Sequence, residues 1–496
     1  MKHISDYVSL LEKEGLLVGF DNKGEDYEVA GYTFNSKLAT KGTLFVCKGA
    51  AFKEDYLKEA VKSGAVAYIS EKAYDADVSG IIVNNIRVAM AVAAEFYQDY
   101  PQKQIPIVGV TGTKGKSTTC YYIKAILDEY EERCGIISTI ETDNGTDRFE
   151  SHITTPESPE VYTHLRKAVD NKLPHMIIES SSQALKYDRL YDVDFDIGVM
   201  LNISPDHISA IEHPDFDDYF ESKLKIYDKC KHAIVNLDCD HADVVLTRAK
   251  RCEDVTTVST KDPSADFYGY DIRKEDGKIS FRVKSEKFDE AFDITMPGLF
   301  NVENALVAIA ATSIWGVSVS AMQSGLHKAR TSGRMEFYES KDKRLAIIVD
   351  YAHNKLSFDK LFESVRVEYP EHKISVVFGC PGCKATIRRH DLGVSAGENC
   401  DYIYLVPEDP ATEDIWEINR IVEEYIKPYN KPVKSFDDRG KGLRQAMLDT
   451  YESGEKRVLL ITGKGNETRQ FINHVYVDCP SDIDYAKMYI EEYDCM

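Results

Sequence analysis

Apolar and polar positions along this chain follow one repeating rhythm. A short apolar run rich in β-branched residues gives way to a polar turn, then to apolar residues at helical spacing. Near the N-terminus, residues 43–47, 65–69 and 80–83 read as buried strands and 88–97 as a helix. The polar, proline-interrupted stretch Asp99-Tyr100-Pro101-Gln102-Lys103-Gln104 reads as a linker. Strands are then predicted at 105–110, 176–179, 197–201 and 233–237. From about Gly333 the rhythm resumes, with strands at 345–349, 374–378, 402–406 and 458–462. Apolar runs each followed by a helical pattern predict an α/β fold, mostly parallel sheets covered by helices on both faces. The breaks in rhythm divide the chain into blocks 1–98, 99–332 and 333–496. No internal repeat or low-complexity tract is visible.

Composition narrows the picture. At 496 residues the chain is long for one core, and about three domains is the prior. Apolar content of 43% and charged content of 29% suit a soluble globular protein. No run is long and apolar enough for a transmembrane helix, and the N-terminus lacks a signal-peptide core. The 11 cysteines are odd in number and scattered, as for reduced thiols in a cytoplasmic protein. A net charge of −22 argues against nucleic acid or an anionic membrane as partner. Phosphate ligands stay open wherever a site is locally cationic or carries metal.

The densest chemistry lies in Val110-Thr111-Gly112-Thr113-Lys114-Gly115-Lys116-Ser117-Thr118-Thr119. It follows a predicted strand and precedes an apolar stripe at Ile123, Ile126, Leu127 and Tyr130. Strand, glycine turn and helix make the setting of a phosphate-cradling loop, whose backbone N–H groups meet anions at a helix N-terminus. Lys116 would face the β- and γ-phosphates and Ser117 would bind Mg²⁺. The general pattern wants glycine where Val110 stands, so the match is to the narrower T-G-T-x-G-K-S, and a purely structural Gly/Thr turn is the alternative. Glu179 ends a strand and fits either a Mg²⁺ ligand or a helix cap. His207, in Asn202-Ile203-Ser204-Pro205-Asp206-His207, fits either a ligand or a capped loop histidine. Lys223 reads as one more solvated lysine.

Taken together these pieces resemble the Mur ligases. The loop, Thr154-Thr155-Pro156, Glu179-Ser180-Ser181-Ser182, Asn202-x-x-x-Asp206-His207 and Tyr219-x-x-x-Lys223 stand in that family's order and rough spacing. So do Gly298-Leu299-Phe300-Asn301-x-x-Asn304, Gly333-Arg334-Met335-Glu336 and Asp350-Tyr351-Ala352-His353. Phe34-Asn35-Ser36-Lys37 and Gly463-Lys464-Gly465-Asn466-Glu467 are similar to elements of the E-type members, which add an amino acid to UDP-N-acetylmuramoyl dipeptide. The resemblance implies three α/β domains: a small N-terminal substrate domain, a central P-loop ATPase domain with a mostly parallel sheet, and a Rossmann-like C-terminal domain. It implies ATP and Mg²⁺ as cofactors, the sugar nucleotide and a free amino acid as partners, and a cytoplasmic monomer. Residues 112–118, Asn301, Asn304, Arg334 and Asp350 would hold ATP. Ser117, Glu179, His207 and a carbamylated Lys223 would bind metal, with Lys116, His207 and Lys223 catalytic. Ser36, Thr154, Thr155, Ser181 and Arg189 would contact the sugar nucleotide. The reaction implied forms an acyl-phosphate that the incoming amine then attacks.

The chain departs from the diaminopimelate-adding pattern in its third block. The G-D-R-D segment is replaced by Gly379-Cys380-Pro381-Gly382-Cys383-Lys384, with Arg389 retained after it. The D-N-P-R motif appears as Glu408-Asp409-Pro410-Ala411. An arginine there would pair with a distal carboxylate, and alanine cannot. With Glu408 and Asp409 beside Ala411, the pocket is expected to be acidic and to prefer L-lysine. Arg389, Glu408, Asp409, Ala411, Gly463 and Glu467 form the expected amino-acid site. Cys380 and Cys383 lack the second pair a zinc site needs, so a loop is the better reading. The alternatives are a diaminopimelate-adding or divergent relative, a non-catalytic nucleotide-binding paralogue, and a folylpolyglutamate-synthetase-like enzyme.

Overall fold

Four sheets form among the described residues, and the three larger ones take up the predicted strands. The computed structural model describes the chain apart from residues 50–51, 131, 152, 206–207, 209–211, 276–277, 297, 331–335, 384 and 474 and the side chains of 150, 275, 356 and 360. The five-stranded sheet runs Leu17–Asp21, Ser79–Val83, Ala67–Ser70, Thr43–Val46, Gly31–Thr33, with only Leu17–Asp21 antiparallel to its neighbour. The eleven-stranded sheet is parallel from Gly135–Ile137 across to Phe267–Glu275, and Glu141–Asp143 and Arg148–Glu150 add antiparallel strands at one edge. The six-stranded sheet orders Glu336–Glu339, Leu345–Asp350, Arg457–Thr462, Lys373–Phe378, Tyr402–Leu405 and Val433–Ser435, with only its first pair antiparallel.

The chain divides into two compact units. One comprises Met1–Arg273, Ser280–Asp293 and Val302–Lys328, and the other Lys274–Ile279, Ile294–Asn301 and Ala329–Met496. Within the first, the helix Ile86–Tyr97 sits on the five-stranded sheet through Ala89, Met90, Val92 and Ala93, all essentially buried. Strand limits shift by a residue or two from expectation for local reasons. The strand expected from residue 65 begins at Ala67, because the Gly64 and Ala65 N–H groups first close the preceding helix onto Val61 and Ala60.

The expected linker at 99–104 is instead a packed corner. Asp99 and Tyr100 take left-handed φ of 57° and 51°, and Pro101 opens a single 3₁₀ turn. Pro101 and Gln102 are buried, with Gln102 Nε2 bonded to Glu95 Oε2 at 2.6 Å. Burial, reinforced by Asp192, pushes Glu95 up to about 8, so it holds its proton at neutral pH and suits a dry corner. The apolar stripe after the glycine loop also ends earlier than expected: Ile123, Ile126 and Leu127 are buried, whereas Tyr130 is exposed beyond the helix end. No described helix is long and apolar enough to cross a membrane.

Candidate functional site

The strand Ile107–Thr111 lies between Met176–Glu179 and Phe195–Met200, all parallel. Register sets Glu179 beside Val110 and Met200 beside Thr111, so three strands end level. Ligands of such sheets bind beyond those carboxyl ends. Here the chain crosses through Gly112–Gly115 into the helix Lys116–Glu129. Gly115 sits at φ 83°, and a Cβ there would collide with Asn304 Oδ1. Asn202 pins the loop: its Oδ1 accepts from Lys114 N at 2.9 Å, its Nδ2 donates to Lys114 O at 3.1 Å, and its carbonyl accepts from Thr113 N at 3.1 Å. Tyr219 OH donates to Thr113 Oγ1 at 3.2 Å.

Two ammonium groups converge on one carbonyl of this loop. Lys116 Nζ lies 3.0 Å from Gly112 O, and Lys223 Nζ lies 2.8 Å from the same oxygen. Lys223 is 1% exposed, over the Tyr219 ring at 4.7 Å. The solvated lysine expected from bare sequence is therefore a buried one, because the helix Phe216–Leu224 turns its inner face toward the loop. Concentrated positive charge at a helix N-terminus, in a chain of net charge −22, is an anion site.

Glu179 is neither a cap nor a surface charge. It is 1% exposed, and its carboxylate accepts from Ser117 Oγ at 3.0 and 3.1 Å, from Thr139 N at 2.9 Å and from Thr139 Oγ1 at 3.0 Å. Oxygen donors of this kind suit Mg²⁺, once the two hydroxyls turn lone pairs rather than protons toward the cation. Thr139 was not expected. Its only sequence signal is that it follows Gly135–Ile137, a strand of the same sheet end.

The residues expected at the sugar nucleotide join the same network. Thr154 Oγ1 lies 3.0 Å from Thr139 Oγ1, and Thr155 Oγ1 donates to the Glu179 carbonyl at 2.7 Å. Ser181 N donates to Thr155 Oγ1 at 3.0 Å, and Ser181 Oγ caps the helix Ser182–Lys186. Arg189 Nη1 donates to the Thr155 carbonyl at 3.0 Å. Ser36 stands apart from these contacts, buried with its hydroxyl donating to Glu59 at 2.6 Å. His213, also unexpected, is fully buried between Asp218 (2.6 Å) and Ser182 (3.0 Å), tying the helix that carries Lys223 to the one that Ser181 caps. Asn301 and Asn304 lie on the helix Asn301–Ile314, and both are buried. His207 and Arg334 lie outside the described residues.

In the second unit, Asp350 and Thr462 pair in register at the ends of their strands. Asp350 Oδ1 accepts from Ala352 N at 2.8 Å. The Asp350, Glu408 and Gly463 loops thus open at one sheet end. Glu408 is 8% exposed, and among the described residues its side chain has neither hydrogen bond nor ion pair. Burial is the main cause that pushes it up to about 7. Gly463, at φ 104°, lets it approach: a Cβ there would lie 3.3 Å from Glu408 Oε2. Asp409, expected as a second free acid, is instead held by Lys464 Nζ at 3.0 Å and Phe471 N at 3.1 Å. Lys464 also pairs with Glu467 at 2.6 Å, and Tyr351 OH donates to Glu467. Burial works against the charge on Lys464, yet Glu467 and Asp409 together hold its pKa above the ordinary value. Ala411 takes φ 53° and is clamped by the hairpin Arg469–Ile472/Val475–Asp478 through Phe471 O at 3.0 Å and Asn473 N at 2.7 Å.

Arg389 is buried, with Nη2 on Glu413 Oε2 at 2.8 Å, while its buried Nε has no hydrogen-bond partner among the described residues. Glu413 also accepts from the Cys383 N–H, and that bond and Arg389 hold its carboxyl below the usual range. The Cys380–Cys383 run is a turn packed on the 408–411 segment, Gly382 N donating to Asp409 O at 2.9 Å.

A glycine loop at the switch between parallel strands, backed by two lysines and a buried carboxylate, defines a nucleotide-phosphate-binding α/β protein. The Mur ligase middle domain matches residues 110–312, and the Mur ligase glutamate ligase domain matches 333–465. A UDP-N-acetylmuramoyl-L-alanyl-D-glutamate–L-lysine ligase of Enterococcus faecalis is 36% identical over 97% of each chain. A ligase of the same name from Streptococcus pneumoniae is 35% identical over 99% of this chain and 100% of its own. Among solved structures, a UDP-N-acetylmuramoyl-L-alanyl-D-glutamate–2,6-diaminopimelate ligase shares the fold, with TM-score 0.64 and 23% identity over 94% of this chain and 95% of its own. A folylpolyglutamate synthase of Mycobacterium tuberculosis complexed with ADP and AMPPCP has TM-score 0.60 and 15% identity over 76% of this chain and 92% of its own. The chain belongs to the Mur ligase family of ATP-dependent ligases.

Proposed function

We propose that this ligase joins L-lysine to the D-glutamyl carboxylate of UDP-N-acetylmuramoyl-L-alanyl-D-glutamate, a step of peptidoglycan precursor synthesis in the cytoplasm. The observation that carries the choice of amine is Glu408, a buried carboxylate that forms no ion pair among the described residues, three positions before Ala411. A buried lone charge is costly, so the pocket favours a ligand ammonium and disfavours a second carboxylate. Arg389, whose buried Nε has no hydrogen bond among the described residues, would take the α-carboxylate of the incoming amino acid. Full-length relatives named as lysine-adding ligases support the same reading.

The chemistry follows from the loop. The N–H groups of 112–118 and the Lys116 ammonium group hold the ATP phosphates and spread the charge of phosphoryl transfer to the substrate carboxylate. Glu179 and Ser117 are the residues that would hold Mg²⁺, which when bound neutralises phosphate charge. Lys223 is a candidate for carbamylation, which would turn its cation into an oxygen ligand. Thr155, Ser181 and Arg189 orient the sugar nucleotide so that its carboxylate meets the phosphoryl group. Arg389 and Glu408 then hold the amine donor for attack on the acyl-phosphate. Side-by-side kinetics with L-lysine and meso-diaminopimelate test the assignment. Higher kcat/KM with lysine is expected, and preference for diaminopimelate overturns it.

A further inference from the structure

Glu157, the residue preceding the helix Ser158–Asp170, is shared by two cations from different parts of the first unit. Lys48, just past the strand Thr43–Val46, places Nζ 2.7 Å from Glu157 Oε2. Arg189 places Nε 3.1 Å from Oε1. Both cationic side chains are 11% exposed, and Glu157 is 15% exposed. A third cation, Arg87, stacks on the Tyr187 ring at 4.3 Å, at the end of the helix that Ser181 caps. The second carboxylate nearby is Glu160, which is pushed up by burial and whose side chain accepts from Glu157 N at 3.3 Å. Burial lowers the Lys48 pKa, Glu157 opposes that, and the positive fields of Arg87 and Arg189 add to the lowering. Two cations thus share one carboxylate, and the charge of a third is felt at Lys48, in a largely buried setting; this is the reverse of the balance over the whole chain.

Lys48 additionally lies over the Phe34 ring at 5.2 Å, next to the Asn35-capped turn that holds Ser36. The cluster therefore runs from the Phe34–Ser36 loop to the Thr155–Ser181 contacts. By the resemblance, residues at both ends contact the sugar nucleotide, and what joins the nucleoside of that substrate to its muramoyl peptide is a diphosphate.

We propose that Lys48 and Arg87, with Arg189, form a cationic cradle for the diphosphate of the sugar-nucleotide substrate, with Glu157 as the counter-ion that holds them in place. This rests on the proposed substrate. A charge-assisted contact to phosphate contributes roughly 1.5–3 kcal/mol, about tenfold to a hundredfold in affinity. Lys48→Met and Arg87→Met should each raise KM for UDP-N-acetylmuramoyl dipeptide by that factor, with kcat and the KM values for ATP and amine little changed. Lys48→Arg, which keeps the charge, should recover most of the loss. Calorimetric titration separates the sources: UDP should bind more weakly to both Met variants than to wild type, whereas uridine should not discriminate. Loss of uridine and UDP binding alike would show a purely structural role and overturn the proposal. So would unchanged KM in both Met variants, with the lysine-ligase reading left standing. Wild-type protein that fails to bind the sugar nucleotide at all would defeat that reading as well.

Discussion

Glu408→Gln is expected to stabilise the ligand-free protein at alkaline pH while impairing use of a cationic amine. The carboxyl titrates at about 7 in the fold, against an ordinary value of 4.5, with burial as the leading cause. The folded state therefore holds this proton more tightly than the unfolded chain. Stability from that preference is complete below pH 4.5 and is lost as pH rises toward and through 7. At about 1.4 kcal/mol per pH unit, the loss reaches about 3 kcal/mol at pH 8 but only about 1.4 kcal/mol at pH 5.5. Glutamine carries no charge at either pH. Its advantage over the wild type should grow by about 2 kcal/mol between these conditions, read as the difference in denaturant midpoint multiplied by the slope.

The kinetic half of the prediction has the opposite sign. The ammonium of lysine needs the ionised carboxylate, so wild-type kcat/KM for lysine should fall about tenfold per pH unit below 7 and level off above it. In Glu408→Gln the profile should lose that limb and lie below the wild type throughout the alkaline range. The reasoning is refuted if the variant's stability difference does not change with pH, or if its lysine kinetics keep the wild-type profile.

Other expectations concern the phosphate loop. Lys116→Ala should lower kcat by about 10²–10³, with a smaller effect on the amine KM, in a coupled ADP-release assay. Gly115→Ala forces a side chain to φ 83° and into Asn304, so nucleotide affinity should fall, with about 1–2 kcal/mol lost from the backbone alone. Equilibrium ADP binding and thermal denaturation read the two effects separately. Lys223→Ala should abolish turnover, and a short carboxylic acid added to the assay should return part of it if the lysine works as a carbamate. A crystal structure under CO₂ showing an unmodified ammonium would exclude that route.

The fold was legible because parallel strands buried on both faces must be apolar nearly throughout. Met176–Glu179 matches its expected limits, and 345–349 falls within Leu345–Asp350. Loop residues were legible where backbone chemistry leaves one solution, as at Gly115, whose φ excludes most side chains. Burial of a charged residue was not legible. Lys223 and His213 carry no local mark, because partners that enclose them come from distant segments: Gly112 for one, Ser182 for the other. The acidic pocket was misjudged for the same reason. Glu408 and Asp409 are adjacent in sequence, but Lys464, 55 positions beyond Asp409, forms an ion pair with Asp409 and none with Glu408.

Two buried arginines of the second unit show how such a structure separates scaffold from site. Arg439 spends its donors inside the protein: Nε and Nη2 on Asp482 at 2.6 and 2.7 Å, Nη2 also on Thr462 O at 2.7 Å, and Nη1 on Pro407 O at 3.3 Å. Asp482 in turn accepts from Gly465 N at 2.9 Å. The ion pair thus locks the turn after Arg457–Thr462 against the turn after Tyr402–Leu405. Arg389, equally buried, has one carboxylate partner, a distant carbonyl at 3.3 Å and an idle Nε. Leaving a donor or a charge unpaired in the interior is costly, and a fold that satisfies Arg439 so fully has the means to satisfy Arg389 and Glu408. Among the described residues Arg389 keeps an Nε without a hydrogen bond and Glu408 makes no ion pair, and on the proposed function these two would serve a zwitterionic ligand: an arginine for its carboxylate and a carboxylate for its ammonium.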